Sequence, residues 1–197
     1  MFTPKKSLPK YLQNLTSLEL AYLAGFLDGD GSLHTKIIKR KDYKIGFQIS
    51  IYLSLHQHKK HFWFLQKIHQ QLGQKGSLRI RNNSMGDLII TGDSIIKDIL
   101  TILYPYLQIK QPVALLILKL IKAKQYLSTP PGGIERYFFE EYQNIKSENP
   151  SYDLSVEHAY FIEVCKITDK IAELNYSKNR KWTSQEVKNT FLKQIIK

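Results

Sequence analysis

The sequence predicts an α+β fold in the order α-β-β-α-β-β-α, with further helices after it. Three observations carry that expectation: a capped helix near the start, a long strictly alternating strand after it, and apolar spacing that is helical in the last third. Thr16-Ser17-Leu18-Glu19 is a capping box, in which the Thr16 hydroxyl and the Glu19 carboxylate satisfy the first unpaired N–H groups. Leu20, Leu23, Ala24 and Leu27 follow at helical spacing, so a helix is expected over Leu18–Asp28. From Lys44 to His56 the residues Ile45, Phe47, Ile49, Ile51, Leu53 and Leu55 fall on one face, and Lys44, Gln48, Ser50, Tyr52, Ser54 and His56 on the other. That is an antiparallel strand with one polar side.

Leu33–Arg40 reads as the preceding strand, joined through Lys41-Asp42, and Ser77–Arg81 and Asp87–Thr91 flank the turn-forming run Asn82-Asn83-Ser84-Met85-Gly86. Two hairpins therefore make a four-stranded sheet. Between them Phe62, Leu65, His69 and Leu72 mark a helix ending at Gly73, and helical patterns follow at Ser94–Leu103, Val113–Leu127, Ser155–Leu174 and Ser184–Ile196. Ser128–Asp153, with Thr-Pro-Pro-Gly-Gly and Asn-Pro-Ser, is expected to be a surface excursion within a single domain over residues 1–197.

Composition narrows the partners. Lys and Arg number 29 against 17 Asp and Glu, a formal charge of +12, and such an excess repels itself unless an anionic partner such as nucleic acid compensates it. The single Cys165 forms no internal disulfide and builds no cysteine zinc site. Val113–Leu118, the most apolar stretch, is far shorter than the roughly 20 residues that cross a bilayer, and no membrane partner is expected. The basic start, with Pro4 and Pro9 and no apolar run, does not resemble a secretory signal. Arginine is scarce beside lysine, and Ile, Asn and Tyr are abundant, as in AT-rich genomes, which hints at an organelle. Walker, dinucleotide and Gly-x-Ser-x-Gly motifs are absent, and Cys165 sits in an apolar helical pattern, so nucleotide hydrolysis, dehydrogenase and thiol chemistry lack their groups.

The run Tyr22-Leu-Ala-Gly-Phe-Leu-Asp28-Gly-Asp30-Gly-Ser32 places small residues inside a helix and two carboxylates at its end. Glycine inside a helix is tolerated where another helix approaches closely, and aspartate at a helix C-terminus opposes the dipole and needs compensation, for which a divalent cation serves. A metal site at a helix–helix seam is one reading; an ordinary turn between helix and strand is the other. A calcium loop is excluded, because Leu33 stands where glycine is needed and Lys39 where glutamate is needed. His56, His58 and His61 straddle a strand end and a helix start with no further partner, which does not make a transition-metal site.

Leu23-Ala24-Gly25-Phe26-Leu27-Asp28-Gly29-Asp30-Gly31 resembles the signature of the LAGLIDADG homing endonucleases, and the chain is most similar to single-motif, homodimeric members from introns of green-algal organelles. The similarity spans about Ser17–Leu127 and returns at Phe161–Cys165 and Asn175–Lys181; no second signature occurs. The resemblance implies that signature helices of two subunits pack together, through Leu20, Leu23, Ala24, Gly25, Leu27 and Asp28. It implies Asp30, with the Gly29 carbonyl, as Mg²⁺ ligand, Gln57 as the residue ordering the water network, and Lys110 as the active-site lysine. His61 falls where the family carries a second Arg or Lys, a departure in the catalytic set.

The polar face of the sheet suits the major groove of double-stranded DNA. On it are placed Lys36, Ile38, Arg40, Lys44, Gln48, Ser54, His56, Arg79, Arg81, Asp87 and Ile89 as base readers, with Lys59, Lys60, Ser177, Lys178 and Lys181 as phosphate contacts. The expectation is a homodimeric, Mg²⁺-dependent endonuclease making a double-strand break in a long pseudo-palindromic target, serving intron homing in an organelle, the chloroplast rather than the mitochondrion. An intron RNA maturase or a DNA-binding protein that no longer cuts are the alternatives.

Overall fold

The computed structural model describes residues 8–127 and 155–195, so the expected excursion at Ser128–Asp153 lies outside the described residues. The elements run α1 (Lys10–Gln13), α2 (Ser17–Asp30), β1 (Gly31–Lys39), β2 (Phe47–His58), α3 (Phe62–Gln71), β3 (Ser77–Ile80), β4 (Met85–Thr91), α4 (Asp93–Leu103), α5 (Gln111–Leu127), α6 (Val156–Leu174) and α7 (Ser184–Ile195). Single turns of 3₁₀ helix at Lys59–His61 and Tyr104–Tyr106 join β2 to α3 and follow α4. The sheet has the order β1-β2-β4-β3, and β4 is antiparallel to both of its neighbours.

The α2 helix starts at the expected box: Thr16 Oγ1 accepts from the Glu19 N–H (3.2 Å), and Glu19 Oε2 accepts from the Thr16 N–H (2.9 Å). It runs two residues past the expected end, to Asp30, and passes into β1 with no loop between them. Gly31 makes this possible. A Cβ there would stand 2.5 Å from Leu27 Cδ1 and 2.7 Å from the Leu27 carbonyl oxygen, so any larger residue forces helix and strand apart. The first hairpin is shorter than expected, because residues 40–46 turn back on an Arg40 N–H to Gly46 carbonyl bond of 2.8 Å, leaving Arg40 and Lys44 outside the strands. The glycine of the turn explains this: Gly46 has φ +75°, a left-handed conformation outside the extended range of a strand.

The chain divides into two compact units, Met1–His34 with Ser50–Leu118, and Thr35–Ile49 with Lys119–Lys197; β1, β2 and α5 run through both. In the first unit Leu27, Leu33, Ile51, Leu65, Ile68, Leu88, Ile90, Ile96 and Ile99 are buried, each stabilising the fold by about 1.5–3 kcal/mol. In the second, Phe47 is the centre: its ring lies 5.0 Å from Trp182, 5.7 Å from Phe191 and 6.3 Å from Phe161. Cys165 is fully buried there, and burial pushes its thiol far above the usual range, leaving no thiolate for chemistry. Among the described residues no helix is long and apolar enough to cross a membrane.

Candidate active site and nucleic-acid face

Asp28 and Asp30 are two residues apart on one helix, hence about 200° apart around its axis, and they point to different surroundings. Asp28 is buried. Its Oδ2 accepts the N–H groups of Gln108 (2.7 Å) and Ile109 (3.2 Å), and its Oδ1 accepts that of Lys110 (2.8 Å). These amides precede α5, whose N-terminus carries partial positive charge, so the carboxylate that opposed one helix dipole satisfies another. Asp28 thus finds its compensation in these amides and needs no cation, in keeping with its place outside the expected metal ligands. Lys110 closes the arrangement by donating from Nζ to the Asp28 carbonyl oxygen.

Asp30 is exposed, and its Oδ2 accepts from Gln57 Nε2 at 3.0 Å. Gln57 is steadied by its own Oε1, which accepts from the His58 N–H (3.2 Å), and by the pairing of Gln57 with Gly86 of β4. Asp30, Gln57 and Lys110 are therefore linked through α2: one side of its last turn holds the lysine and the other presents the carboxylate. His61, exposed at the start of α3, makes no side-chain cap there. His56 pairs with Asp87, and His58 Nδ1 accepts the Lys60 N–H (3.3 Å), so these two histidines engage different partners.

An Mg²⁺ ion asks for few protein ligands. It keeps several waters and takes one or two carboxylates together with phosphate oxygens. A solvent-facing Asp30 held by a neutral amide, preceded by the helix-end carbonyl of Gly29, is an all-oxygen donor set of that kind. No cluster of three or more His, Cys, Asp or Glu side chains occurs among the described residues, so zinc-type sites do not compete with it.

The expected helix seam is corrected. Leu20, Leu23, Ala24, Leu27 and Asp28 are buried inside their own chain, because they form the α2 face that covers the core. The open stripe is Leu18, Tyr22, Gly25 and Gly29, at i, i+4, i+7 and i+11. Leu18 is 81% and Tyr22 61% exposed, and a Cβ added at Gly25 or Gly29 meets nothing within 4 Å. Of the six expected seam residues only Gly25 lies on this stripe. Alongside it, Phe64 packs edge-on against Tyr22 (5.6 Å), Phe26 (5.0 Å) and the exposed Trp63 (5.8 Å).

On the sheet, the strand alternation is as expected, but two residues change role. Asp87 is buried beneath three donors, His56 Nδ1 (2.8 Å), Arg79 Nε (3.0 Å) and an Arg81 guanidinium nitrogen (2.9 Å), so its carboxylate has no room for a base. It holds two arginines in place instead, as the register His56–Asp87–Arg79 across β2, β4 and β3 requires. Burial alone raises the Asp87 carboxyl, but its hydrogen bonds from His56 and Arg79 and the Arg81 charge outweigh that and hold it below the usual range. Ser54 is also buried, opposite Ile89, and is not a reader. Ile89 is half-buried.

In the second unit Lys36 is exposed, and Ile38 and Gln48 are half-buried. Arg40 is gripped by Asp42 through two bonds (3.0 and 2.8 Å), and Lys44 reaches Glu157 (2.7 Å). Ser177, Lys178 and Lys181 are exposed on the loop between α6 and α7, which Asp169 fixes by accepting from Arg180 (2.6 Å) and the Ser184 N–H (3.1 Å). Lys59 and Lys60 are exposed on the 3₁₀ turn before α3.

A family model described as LAGLIDADG endonuclease matches residues 23–127, and the chain is 35% identical over 169 residues to DNA endonuclease I-CreI of Chlamydomonas reinhardtii, covering 86% of each. The chain belongs to the LAGLIDADG endonuclease family. It is also 36% identical over 105 residues to DNA endonuclease I-CvuI of Chlorella vulgaris, covering 53% of this chain and 65% of that one. Two solved structures of I-CvuI are similar. One, in complex with its target Sro1.3 in the presence of 2 mM Ca, has a TM-score of 0.69 at 26% identity, covering 90% of this chain and 94% of that one. The other, with the I-CreI target C1221 in 2 mM Mg and the DNA not cleaved, has a TM-score of 0.68 at 27% identity, covering 91% and 96%. Archaeal I-Vdi141I, at 14% identity and a TM-score of 0.65, shares the fold. In this LAGLIDADG chain the signature's first carboxylate is thus a structural anchor and its second the exposed one.

Two substitutions check these roles. Asp28→Ala leaves three part-buried amides without their acceptor and lowers the unfolding free energy by about 1–3 kcal/mol in urea titration, with Asp28→Asn between it and wild type. Asp87→Asn costs about 1–3 kcal/mol near neutral pH. Because the folded Asp87 ionises below its unfolded range, this stabilisation is present above about pH 4 and disappears as pH falls through the folded value. Melting curves of wild type and variant therefore converge in acid; a separation that persists unchanged to the lowest pH contradicts this role for Asp87.

Proposed function

We propose that the chain acts as a homodimer that cuts both strands of a long pseudo-palindromic DNA target by Mg²⁺-dependent phosphodiester hydrolysis, one strand per subunit. The observation that carries the reading is the end of α2, where the exposed Asp30, steadied by Gln57, stands two residues from the carbonyl that moors Lys110. Asp30, with the Gly29 carbonyl, holds the metal. When bound, Mg²⁺ supplies Lewis-acid polarisation of the phosphate and the acidity that readies a water for in-line attack. Gln57 keeps the Asp30 carboxylate oriented and hydrogen-bonds to solvent around it. Lys110 offers an ammonium to the charge that develops on the phosphate, and Asp28 fixes where that ammonium can go. Beside His61, the exposed Lys59 and Lys60 offer cationic side chains to the DNA backbone.

Dimerisation rests on the open stripe of α2. Gly25 and Gly29 let a second helix approach to backbone distance, and Leu18, Tyr22 and Trp63 gain burial when it does. Two-fold symmetry of the protein then matches two-fold symmetry of the target. Lys36, Ile38, Arg40, Lys44, Gln48, His56, Arg79, Arg81 and Ile89 read bases, and Lys59, Lys60, Ser177, Lys178 and Lys181 contact phosphates. The two units serve as one endonuclease domain. The algal sources of the homologues and the lysine-rich composition support an organelle as the site of action in intron homing, the chloroplast before the mitochondrion.

A randomised plasmid library incubated with the protein checks the chemistry. Wild type is expected to enrich one long pseudo-palindrome among cut molecules in Mg²⁺ and none in EDTA, and Asp30→Asn is expected to bind the same site but lose cleavage by about a thousandfold or more. Binding without cutting by wild type in Mg²⁺ sinks the nuclease reading and favours a maturase or a DNA-binding protein. For the dimer, Gly25→Leu tests the seam. The chain itself has room for the side chain and gains helix propensity of up to about 1 kcal/mol, so the protomer keeps its melting temperature. It sediments as a monomer and makes no double-strand break; a variant that stays dimeric argues for a different interface.

A further inference from the structure

Between the metal carboxylate and the long reading face stands a feature that the functional reading leaves unused. On the open side of the sheet the His34 ring of β1 stacks on the Tyr52 ring of β2, with centroids 5.0 Å apart and planes 10° from parallel. Ser32 Oγ lies 3.3 Å from His34 Nδ1, so the imidazole is held on one edge as well as on its face. Leu33, Ile51 and Leu53, the neighbours on either strand, are buried on the opposite side.

We propose that His34 and Tyr52 are a preorganised reading pair for the base pairs nearest the cut phosphates, an assignment that rests on the endonuclease reading above. Position along the strands supports it. His34 is four residues beyond Asp30, and at about 3.3 Å per residue this is about 13 Å, the length of about four base-pair steps. Tyr52 precedes Gln57, the residue that holds Asp30, by five positions, so both strands bring the pair to a similar distance from the metal ligand. Lys36 and Ile38 continue β1 beyond it, and they face base pairs farther out. The chemistry fits base edges, which are read by hydrogen-bonding side chains such as a phenol and an imidazole. Mutual stacking fixes both rings before DNA arrives, so less rotamer freedom is lost on binding.

A cross-strand aromatic pair also strengthens a sheet whatever it faces. The experiment therefore keeps the rings and removes the polar atoms. Once wild type has revealed its target and cut positions, that target is randomised over the four base pairs on the outer side of each cut and cleaved by wild type, Tyr52→Phe and His34→Phe. Wild type is expected to favour particular bases there by about tenfold. Both variants are expected to lose that preference while keeping wild-type preference at the outer positions. Unchanged inner preference in the variants, a loss spread evenly over the target, or no inner preference in wild type overturns the pair's role and leaves the nuclease reading standing. Failure of wild type to cut any duplex overturns both.

Discussion

The close passage of α2 into β1 is the constraint on which the rest depends. Because Gly31 allows the chain to leave a helix and enter a strand without a loop, the last turn of α2 is held rigidly at the edge of the sheet. Two carboxylates on that turn, about 200° apart, then have separate tasks. Asp28 faces inward and ties down the amides ahead of α5, and Asp30 faces solvent beside Gln57. A loop at this junction would let both wander, and catalytic geometry tolerates little of that.

Charge is arranged on the same principle. The chain is strongly basic, and several of its described acidic groups fix cations in place. Asp87 holds Arg79 and Arg81, Asp42 holds Arg40, Glu157 holds Lys44, and Asp169 holds the loop of Ser177, Lys178 and Lys181 through Arg180. For exposed pairs such as Lys44–Glu157 the gain in stability is small. Their value is preorganisation, since a guanidinium already oriented loses less freedom on meeting an anion.

Helix and strand periods were legible because they are properties of consecutive residues. The capping box at Thr16, the β2 alternation and the helices of the last third stand where spacing puts them. Boundaries moved where local backbone geometry departed from the side-chain period, as at Asp30, where the helix runs straight into β1, and at Gly46, whose positive φ belongs to the turn. The family signature was legible too, and with it Asp30, Gln57 and Lys110. Their mutual arrangement was not, since Gln57 meets Asp30, and Lys110 the Asp28 carbonyl, only through the fold. His34 and Tyr52 carried a signal in the alternation, which places both on the polar face, but nothing in the sequence shows that they stack.

The sequence by itself determined the family, the element types and the identity of the acidic motif, because local periodicity and a short signature survive without knowledge of neighbours. Only the tertiary structure decided which carboxylate is buried, which side of α2 is open and which polar residues of the sheet are shut away. Leu23 and Ala24 belong to the same signature as Gly25, yet they pack into the core and Gly25 does not. Asp87 and Ser54 alternate as readers should, yet both are buried. The reason is physical: a period tells which residues share a face, but whether that face meets solvent, another helix or a salt bridge depends on elements distant in the chain.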